Sequence, residues 1–102
     1  MPSPMVIIGN DLIFFNSDNV GFCIGRIIVI RASYVQQASK RDLDDTIKHE
    51  LTHAWVYWKG LHSKFGGGHN KAFLIKAKQI GLDLRGVFQR YPETKDVYAH
   101  LE

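Results

Sequence analysis

Cysteine is almost missing from this sequence of 102 residues, in which Cys23 is the only one. A lone cysteine cannot close an internal disulfide, which excludes a secreted scaffold stabilised by disulfides. The same shortage excludes a zinc ribbon, because that site needs four cysteines. We therefore expect a protein of a reducing compartment, with the cytoplasm as its location.

Long hydrophobic runs are missing as well. No apolar stretch approaches the ~18 residues of a membrane-spanning helix, and the N-terminus has no basic region followed by a long apolar one. We expect no contact with a membrane. The excess of positive charge is small, since 13 Lys and Arg face 10 Asp and Glu for a net charge of +3. This balance permits nucleic acid as a partner without indicating it.

What the sequence does contain is the composition of an ordinary globular protein, with 45% hydrophobic and 23% charged residues. Its length suits one modest hydrophobic core. We predict a single domain over residues 1–102 and a monomer. A final Leu-Glu pair is typical of a cloning remnant, so we assign no role to Leu101 and Glu102.

The first third of the chain reads mainly as β-strands between residues 6 and 31. Short β-branched or aromatic runs predict strands at 6–8, 12–15, 20–23 and 26–31, with a polar turn at 16–19. The last run is the most continuous, which is typical of a strand that is buried on both faces or lies against a helix. Residues 33–37 fit a short helix or a turn.

A long amphipathic helix is predicted over residues 42–59. Ser39 followed by Asp42 is a typical helix start, and Lys59-Gly60 is a typical end. Between them, apolar side chains recur at steps of three and four residues, which predicts one core-facing stripe. Its members are Leu43, Ile47, Leu51, Ala54, Trp55 and Trp58.

A second helix is predicted over residues 70–81, with apolar side chains at helical spacing and Gly81 as its stop. The three glycines at 66–68 cannot continue either helix, and we interpret them as a hinge or tight connector. Residues 82–102 give weak signals only, of a short strand or turn and a mobile tail. The predicted fold class is α+β, with a short N-terminal sheet packed on the first helix.

Two histidines on the first helix form the clearest chemical signal. His49 and His53 lie four positions apart, so a helix places both imidazoles on one face, close enough to share one Zn²⁺ ion. The predicted apolar stripe leaves both off the main core face. Glu50 lies beside them, where its carboxylate could take a proton from a water molecule that the metal activates. These three residues predict a zinc peptidase site.

A catalytic zinc site needs a third protein ligand and an open fourth position for water. The metzincin pattern requires a glycine and a histidine where this chain has Val56 and Lys59, so that class is excluded. A glutamate ligand on a later helix, as in gluzincins, is disfavoured too, because only Glu93 and Glu102 follow the motif.

His69 is the third ligand that we predict. It follows three glycines that allow the chain to turn back, and it stands at the start of the second helix, which would fix its imidazole. His62 is nearer to the motif in sequence, but as a ligand it would need its loop to fold under the first helix. A solvated loop position explains His62 better.

Four further residues are candidates for supporting roles. Tyr57 lies four positions after His53, where its phenol could donate a hydrogen bond to a developing oxyanion. A half-buried aromatic side chain at the rim is the more common case. Asp83, Tyr91 or Asp96 could accept a hydrogen bond from a ligand histidine, and the sequence does not choose among them.

The second half of the chain is basic, through Lys71, Lys76, Lys78, Arg85 and Arg90. Clustered cations of this kind could face phosphate groups. Lysines on the outer face of a helix are more often solvated, so a phosphate-binding patch is the less favoured interpretation.

Three segments between residues 25 and 82 carry a resemblance to a known family. They are the strand at 26–30, the motif His49-Glu50-Leu51-Thr52-His53, and the segment Gly68-His69-Asn70-Lys71-Ala72-Phe73 followed by Gln79-Ile80-Gly81-Leu82. With them the chain resembles the SprT-like zinc metallopeptidase family. The second motif is the specific part, because the first occurs in many zincins.

This resemblance implies a zincin-like domain in which His49, His53 and His69 bind one zinc ion and Glu50 is the general base. It implies a metallopeptidase that acts on a protein or peptide substrate, with DNA or a DNA-bound protein as a candidate partner. Many members carry a C-terminal zinc ribbon whose cysteines this chain lacks, so it is similar to a bare catalytic core. Our alternative is a non-catalytic, zinc-stabilised module that binds DNA or protein. A repressor-cleaving regulatory peptidase fits less well, because its downstream ligand pattern departs from His69.

Overall fold

The structure, a computed structural model, describes residues 3–14 and 19–101. In these ranges one sheet has the strand order β1-β3-β2, with β1 (Met5–Gly9), β2 (Gly21–Ile24) and β3 (Ile27–Arg31). β2 pairs antiparallel with β3, whereas β1 runs parallel to β3. The predicted strands at 6–8, 20–23 and 26–31 are confirmed to within one residue at each end.

The central strand of the sheet is also its most buried one. β3 buries Ile28, Val29 and Ile30, as its continuous β-branched run predicts. On the edge strand β1, the side chains from Met5 to Ile8 are exposed. The sheet therefore contributes to the core mainly through β3.

The predicted strand at 12–15 is wrong, because Asp11–Phe14 form a short 3-10 helix. The side-chain oxygen of Asn10 accepts a hydrogen bond from the Leu12 amide at 2.9 Å. Such a local bond gives the backbone an alternative to the extended ladder. Residues 15–18, and with them most of the predicted turn, lie outside the described ranges.

The helices of the described part are α1 (Ala32–Gln37), α2 (Lys40–Trp58), α3 (Lys71–Ile80), α4 (Arg85–Arg90) and α5 (Pro92–Ala99). α1 corresponds to the short helix or turn predicted at 33–37. Ser39 caps α2 by accepting a hydrogen bond from the Asp42 amide at 3.1 Å. Gly81, with φ +70°, ends α3 in the left-handed conformation. The helices predicted over 42–59 and 70–81 are thus confirmed, with ends shifted by one or two residues.

α2 is buried on more than one side, which the apolar pattern does not predict. The helix contacts β2 and β3 as well as α3, so no single stripe describes its core surface. Trp58, predicted in the stripe, is 49% exposed. The buried residues of the helix are Glu50, Thr52, Ala54 and Val56, of which only Ala54 belongs to the predicted stripe.

Residues 82–101 are largely helical where the sequence predicts a strand or turn followed by a tail. Leu82, Leu84 and Val87 join the main core cluster. Pro92 occupies the first turn of α5, where its missing amide costs no hydrogen bond. α4 and α5 have 6 and 8 residues, too few to show a helical period in the sequence.

The main core lies between α2, α3 and the C-terminal segment, around the fully buried Phe73 and Leu74. The sheet and the five helices of the described residues confirm the predicted α+β class. No helix in these ranges combines the length and the apolar character that crossing a membrane requires.

Candidate metal centre

Three histidines converge between α2 and the start of α3. His49 and His53 project from one face of α2, one helical turn apart. His69 stands just before Asn70, whose side chain caps α3 by accepting a hydrogen bond from the Phe73 amide at 3.1 Å. One ring nitrogen of each histidine lies within 4.8 Å of the corresponding atoms of the other two. The structure therefore brings together the three histidines that the sequence selects.

The orientation of His69 is fixed by a backbone carbonyl. Its Nδ1 lies 2.7 Å from the Gly66 oxygen, and since a carbonyl only accepts, Nδ1 carries the proton. The lone pair of its Nε2 then faces His49, whose Nε2 is 3.2 Å away. The free nitrogen of His69 thus points into the cluster.

The spacing of the ring nitrogens fits a metal ion. Two nitrogens bound to a tetrahedral ion at about 2.0–2.1 Å, the zinc value, lie about 3.3–3.4 Å apart. The 3.2 Å between the Nε2 atoms of His49 and His69 is close to that separation. Three imidazoles also leave one tetrahedral position open. The residues present therefore fit a metal ion with a free coordination site.

Burial keeps the imidazoles neutral. It lowers the pKa of His49 to about 4 and that of His53 to about 3, with a further contribution from neighbouring histidines. Burial also lowers the pKa of His69, and the hydrogen bond to Gly66 acts in the opposite direction. Metal ions bind the neutral form of imidazole, so the cluster has no protons to lose near pH 7.

Phe73 packs against all three histidines. Its side chain is fully buried, and its ring centroid lies 4.5 Å from that of His53, 4.8 Å from His69 and 5.3 Å from His49. A close-packed ring in contact with every imidazole limits how far each can rotate. This contact gives a physical reason for the phenylalanine four positions after His69.

Glu50 is buried beside the histidines, with 7% of its surface exposed. It follows His49 on α2 and lines the same cleft of about 610 Å³ as the cluster. Burial raises the pKa of its carboxyl group to about 7. A carboxyl group with this pKa can both accept and release a proton near neutrality.

Cys23 reaches the same cleft from β2 but stays protonated. Burial, and after it the charge of Glu50, raise the pKa of its thiol to about 11. Its Sγ lies 3.2 Å from the Gly25 carbonyl oxygen, to which the thiol donates a weak hydrogen bond. The thiolate, not the thiol, is the nucleophile and metal ligand, so Cys23 adds no reactive group near neutral pH.

Tyr57 and His62 stack against each other at the wall of the cleft. Their ring centroids lie 4.2 Å apart, with planes 14° from parallel, and Tyr57 is 56% exposed. His62 is exposed as well and does not belong to the cluster of three histidines, which confirms its predicted loop position. Stabilisation of an oxyanion by Tyr57 stays a prediction.

The acceptor that orients His69 is one that sequence reasoning missed. The sequence suggests Asp83, Tyr91 or Asp96 for a ligand histidine, whereas the structure gives His69 the carbonyl of Gly66. Every residue has a backbone carbonyl, so residue types carry no signal for it. The run of glycines was the one available hint, because it marks a backbone that turns sharply.

Basic side chains of the second half contact nearby aromatic rings. Lys76 Nζ lies 4.9 Å from the ring centroid of Trp55, and Lys78 Nζ lies 5.7 Å from that of Tyr98. Such cation–π contacts hold the ammonium groups near the surface of the protein. Nothing in these contacts tests whether the basic half faces phosphate groups, which is the less favoured interpretation of the sequence.

A family model described as the SprT-like family matches residues 14–95. The matched range contains the three histidines, Glu50 and Phe73, and it runs from the end of the short 3-10 helix at Phe14 into α5. It is therefore wider than the residues 25–82 that carry the resemblance in the sequence. Neither the curated proteins nor the solved structures contain a significant match to this chain.

Proposed function

The chain belongs to the SprT-like family, and we propose that it is a zinc-dependent metallopeptidase with a zincin-like catalytic domain. The observation that carries this proposal is the convergence of His49, His53 and His69 beside the buried Glu50. A closed structural zinc site has four protein ligands, whereas three ligands with an open position are typical of a catalytic one. The donor set and the adjacent carboxyl group together favour an enzyme.

Zinc suits three imidazoles because it is a borderline-soft ion without redox chemistry. When bound, it would lower the pKa of a water molecule toward ~7 and polarise a substrate carbonyl group. The chain contributes rings that are already neutral and oriented. His69 is held through Gly66, and all three rings pack on Phe73.

Glu50 is the general base of the proposed reaction. Its carboxylate takes the proton of the attacking water, and the resulting carboxyl group delivers that proton to the nitrogen of the leaving amine. Its position beside His49 on α2, in the cleft that the three histidines line, places the carboxylate where both steps take place. One residue thereby serves as base and then as acid.

β2 offers a place for an extended substrate. It is an edge strand of the described sheet, and Gly21, Phe22 and Cys23 line the cleft. An extended peptide can add to a strand edge through backbone hydrogen bonds, which do not depend on its sequence. We propose that a protein or peptide lies along β2, and DNA-associated proteins are the substrate class that the family resemblance suggests.

Substitution of Glu50 by glutamine tests the mechanism. Glu50→Gln should retain about one zinc per chain, the stoichiometry of a single three-histidine site, and should lose peptide cleavage by ~10²–10⁴-fold. Metal content is measured by mass spectrometry and cleavage with an unfolded fluorogenic protein. Glu93→Gln, an exposed change on α5, is the matched control and should cleave like the wild type. Undiminished cleavage by Glu50→Gln would exclude this base.

A non-catalytic, zinc-stabilised module that binds DNA or protein is the second candidate. One observation favours it: the three histidines come from α2 and from the residue before the cap of α3, so a bound ion would tie two helices together. In that case the wild type cleaves nothing, and chelation of zinc lowers the melting temperature strongly. Cleavage by the wild type that Glu50→Gln abolishes would exclude this candidate.

A further inference from the structure

The turn that precedes the third histidine is folded against the start of α5. Gly66 and Gly67 have φ values of +56° and +66°, which residues with side chains rarely adopt. A Cβ atom built on Gly66 would overlap Thr94 Cγ2, and one built on Gly67 would overlap the ring of Tyr91 at Cζ. The two glycines are therefore needed where residues 91–94 pack on the turn.

Residues 91–94 are themselves held in place. The Thr94 hydroxyl donates a hydrogen bond to the Tyr91 carbonyl oxygen at 2.7 Å, and the Thr94 amide donates to the same oxygen at 3.0 Å. Thr94 is fully buried. Two bonds to one carbonyl fix the backbone at which α5 begins and from which the Tyr91 ring projects.

The turn at Gly66 and Gly67 also holds His69 in place. The Gly66 carbonyl oxygen accepts from the His69 amide at 3.2 Å as well as from Nδ1 at 2.7 Å. The ring of Tyr91 also contacts the imidazole directly, at a centroid distance of 5.3 Å and an interplanar angle of 34°. Displacement of the turn would therefore rotate the Nε2 lone pair away from the other histidines.

We propose that Tyr91 is a positioning residue for the metal site: its ring packs on Gly67 and His69 and so holds the third ligand in its binding orientation. The inference rests on the metal site of the proposed function, but it does not require peptide cleavage. Tyr91 acts through its ring, and Thr94 fixes the backbone that carries it. Partners that orient a ligand histidine typically contribute ~10–100-fold to metal affinity.

Two substitutions of Tyr91 test this role through zinc affinity, measured by competition with a chromophoric chelator. Tyr91→Ala removes the ring and should weaken zinc binding by ~10–100-fold. Tyr91→Phe keeps the ring and should bind zinc like the wild type. Wild-type affinity in Tyr91→Ala, or an equal loss in both variants, would overturn the proposal.

General destabilisation is separated from positioning by a core variant. Leu84→Ala shortens a buried side chain of the main core and leaves the glycine turn untouched. It should lower the melting temperature and retain zinc affinity, measured at a temperature where the protein is folded. If Leu84→Ala loses as much zinc affinity as Tyr91→Ala, the positioning role is refuted.

The glycines provide a reciprocal test with a matched control. Gly67 and Gly60 have similar φ values, +66° and +70°, so Gly→Ala brings similar backbone strain to both. A Cβ at Gly60 has nothing within 4 Å, whereas one at Gly67 meets Tyr91. Gly67→Ala should weaken zinc binding and Gly60→Ala should not.

A double variant with Tyr91→Ala and Gly67→Ala shows whether the two residues act through their contact. In a Tyr91→Ala background the ring that a Gly67 side chain would strike is gone, so Gly67→Ala should have little further effect on zinc affinity. Equal losses from Gly67→Ala in both backgrounds would overturn the proposal. If the wild type binds zinc without cleaving peptides, the proposed function fails and these affinity tests still decide the role of Tyr91.

Discussion

Different kinds of structure position the three histidines of the cluster. His49 and His53 form a helical pair on α2, whereas His69 is a loop histidine. One turn of α2 separates the pair, and helical periodicity alone brings their ring centroids to 4.9 Å. The loop histidine depends on the Gly66 carbonyl and on the packing of Tyr91. A five-residue motif therefore places two histidines of the proposed site locally, while the position of the third depends on tertiary structure.

Acid should lower the free energy of unfolding of the metal-free protein, mainly through the helical pair. This is the largest change in stability that we expect. The folded-state pKa values of about 4 for His49 and about 3 for His53 lie below the ~6.5 of an unfolded histidine. Below pH ~6.5 the unfolded chain therefore binds more protons. The contribution of the two neutral histidines to the free energy of unfolding is therefore complete above pH ~6.5 and is lost as the pH falls toward the folded-state pKa values. Each histidine contributes on the order of a few kcal/mol.

Chemical unfolding of the metal-free Glu50→Gln protein between pH 7 and about 4 measures this effect. The glutamine removes an opposite contribution, because the raised pKa of Glu50, from 4.5 to about 7, makes stability fall as the pH rises through that window. His53→Gln should flatten the profile more than His69→Gln does, since the bond to Gly66 opposes the shift of His69. If His53→Gln and His69→Gln flatten the pH profile of stability equally, the helical pair and the loop histidine do not differ in this respect.

Phe73→Ala should remove a packing contact of both the helical pair and the loop histidine and should destabilise the protein. The ring is fully buried and touches the helical pair and the loop histidine, and removing such a ring costs ~3–5 kcal/mol of unfolding free energy. Denaturant titration of the metal-free protein measures the loss. Phe88→Ala, which truncates a partly buried ring on the same core, should cost less. A Phe73→Ala protein as stable as Phe88→Ala would show that the buried ring contributes no more to stability than the partly buried one.

Removal of the loop histidine tests whether it completes the site. His69→Ala should weaken zinc binding by more than the ~100-fold typical of an outer-shell change, which corresponds to about 2.7 kcal/mol. His62→Ala is the control, because that ring is exposed and stacked on Tyr57. Zinc affinity that survives His69→Ala would leave the helical pair to bind the ion with some other group.

Removal of a helix cap should give the smallest loss of stability. The caps of α2 and α3 also allow the helical pair and the loop histidine to be compared directly. Ser39 caps α2 and Asn70 caps α3, and Ala at either position should cost ~1 kcal/mol of stability. Asn70 follows His69 and also donates to the Leu61 carbonyl at 2.8 Å, so Asn70→Ala should weaken zinc binding as well. Ser39→Ala should leave it unchanged. Equal zinc affinity in both variants would show that the α3 cap does not support the loop histidine.

The parts of the site that the sequence predicts are those with local signals. The spacing of His49 and His53 is a property of any helix. His69 is marked by the glycines before it and by Asn70, a typical cap, after it. Ser39 and Gly81 mark helix ends in the same way, and the boundaries of α2 and α3 follow from them.

The parts that the sequence does not predict depend on contacts between distant segments. The burial of Glu50 arises where α2 packs against the sheet and α3, so the apolar stripe on the helix gives no hint of it. The same holds for α4 and α5, which are short and become helical where Leu84, Val87 and Thr94 are buried. Asn10 shows the opposite case, a local side-chain bond that overrides an apolar run with strand propensity.

The three histidines, which cluster without Cys23, have a consequence for metal selectivity. Soft monovalent copper prefers sulfur ligands, whereas imidazole suits zinc and other borderline ions. Cys23 brings sulfur into the cleft, but the group of possible ligand atoms that lie close together consists of His49, His53 and His69 and does not include it. The centre therefore presents nitrogen donors alone to competing ions. A donor set of three imidazoles thus favours zinc over copper(I).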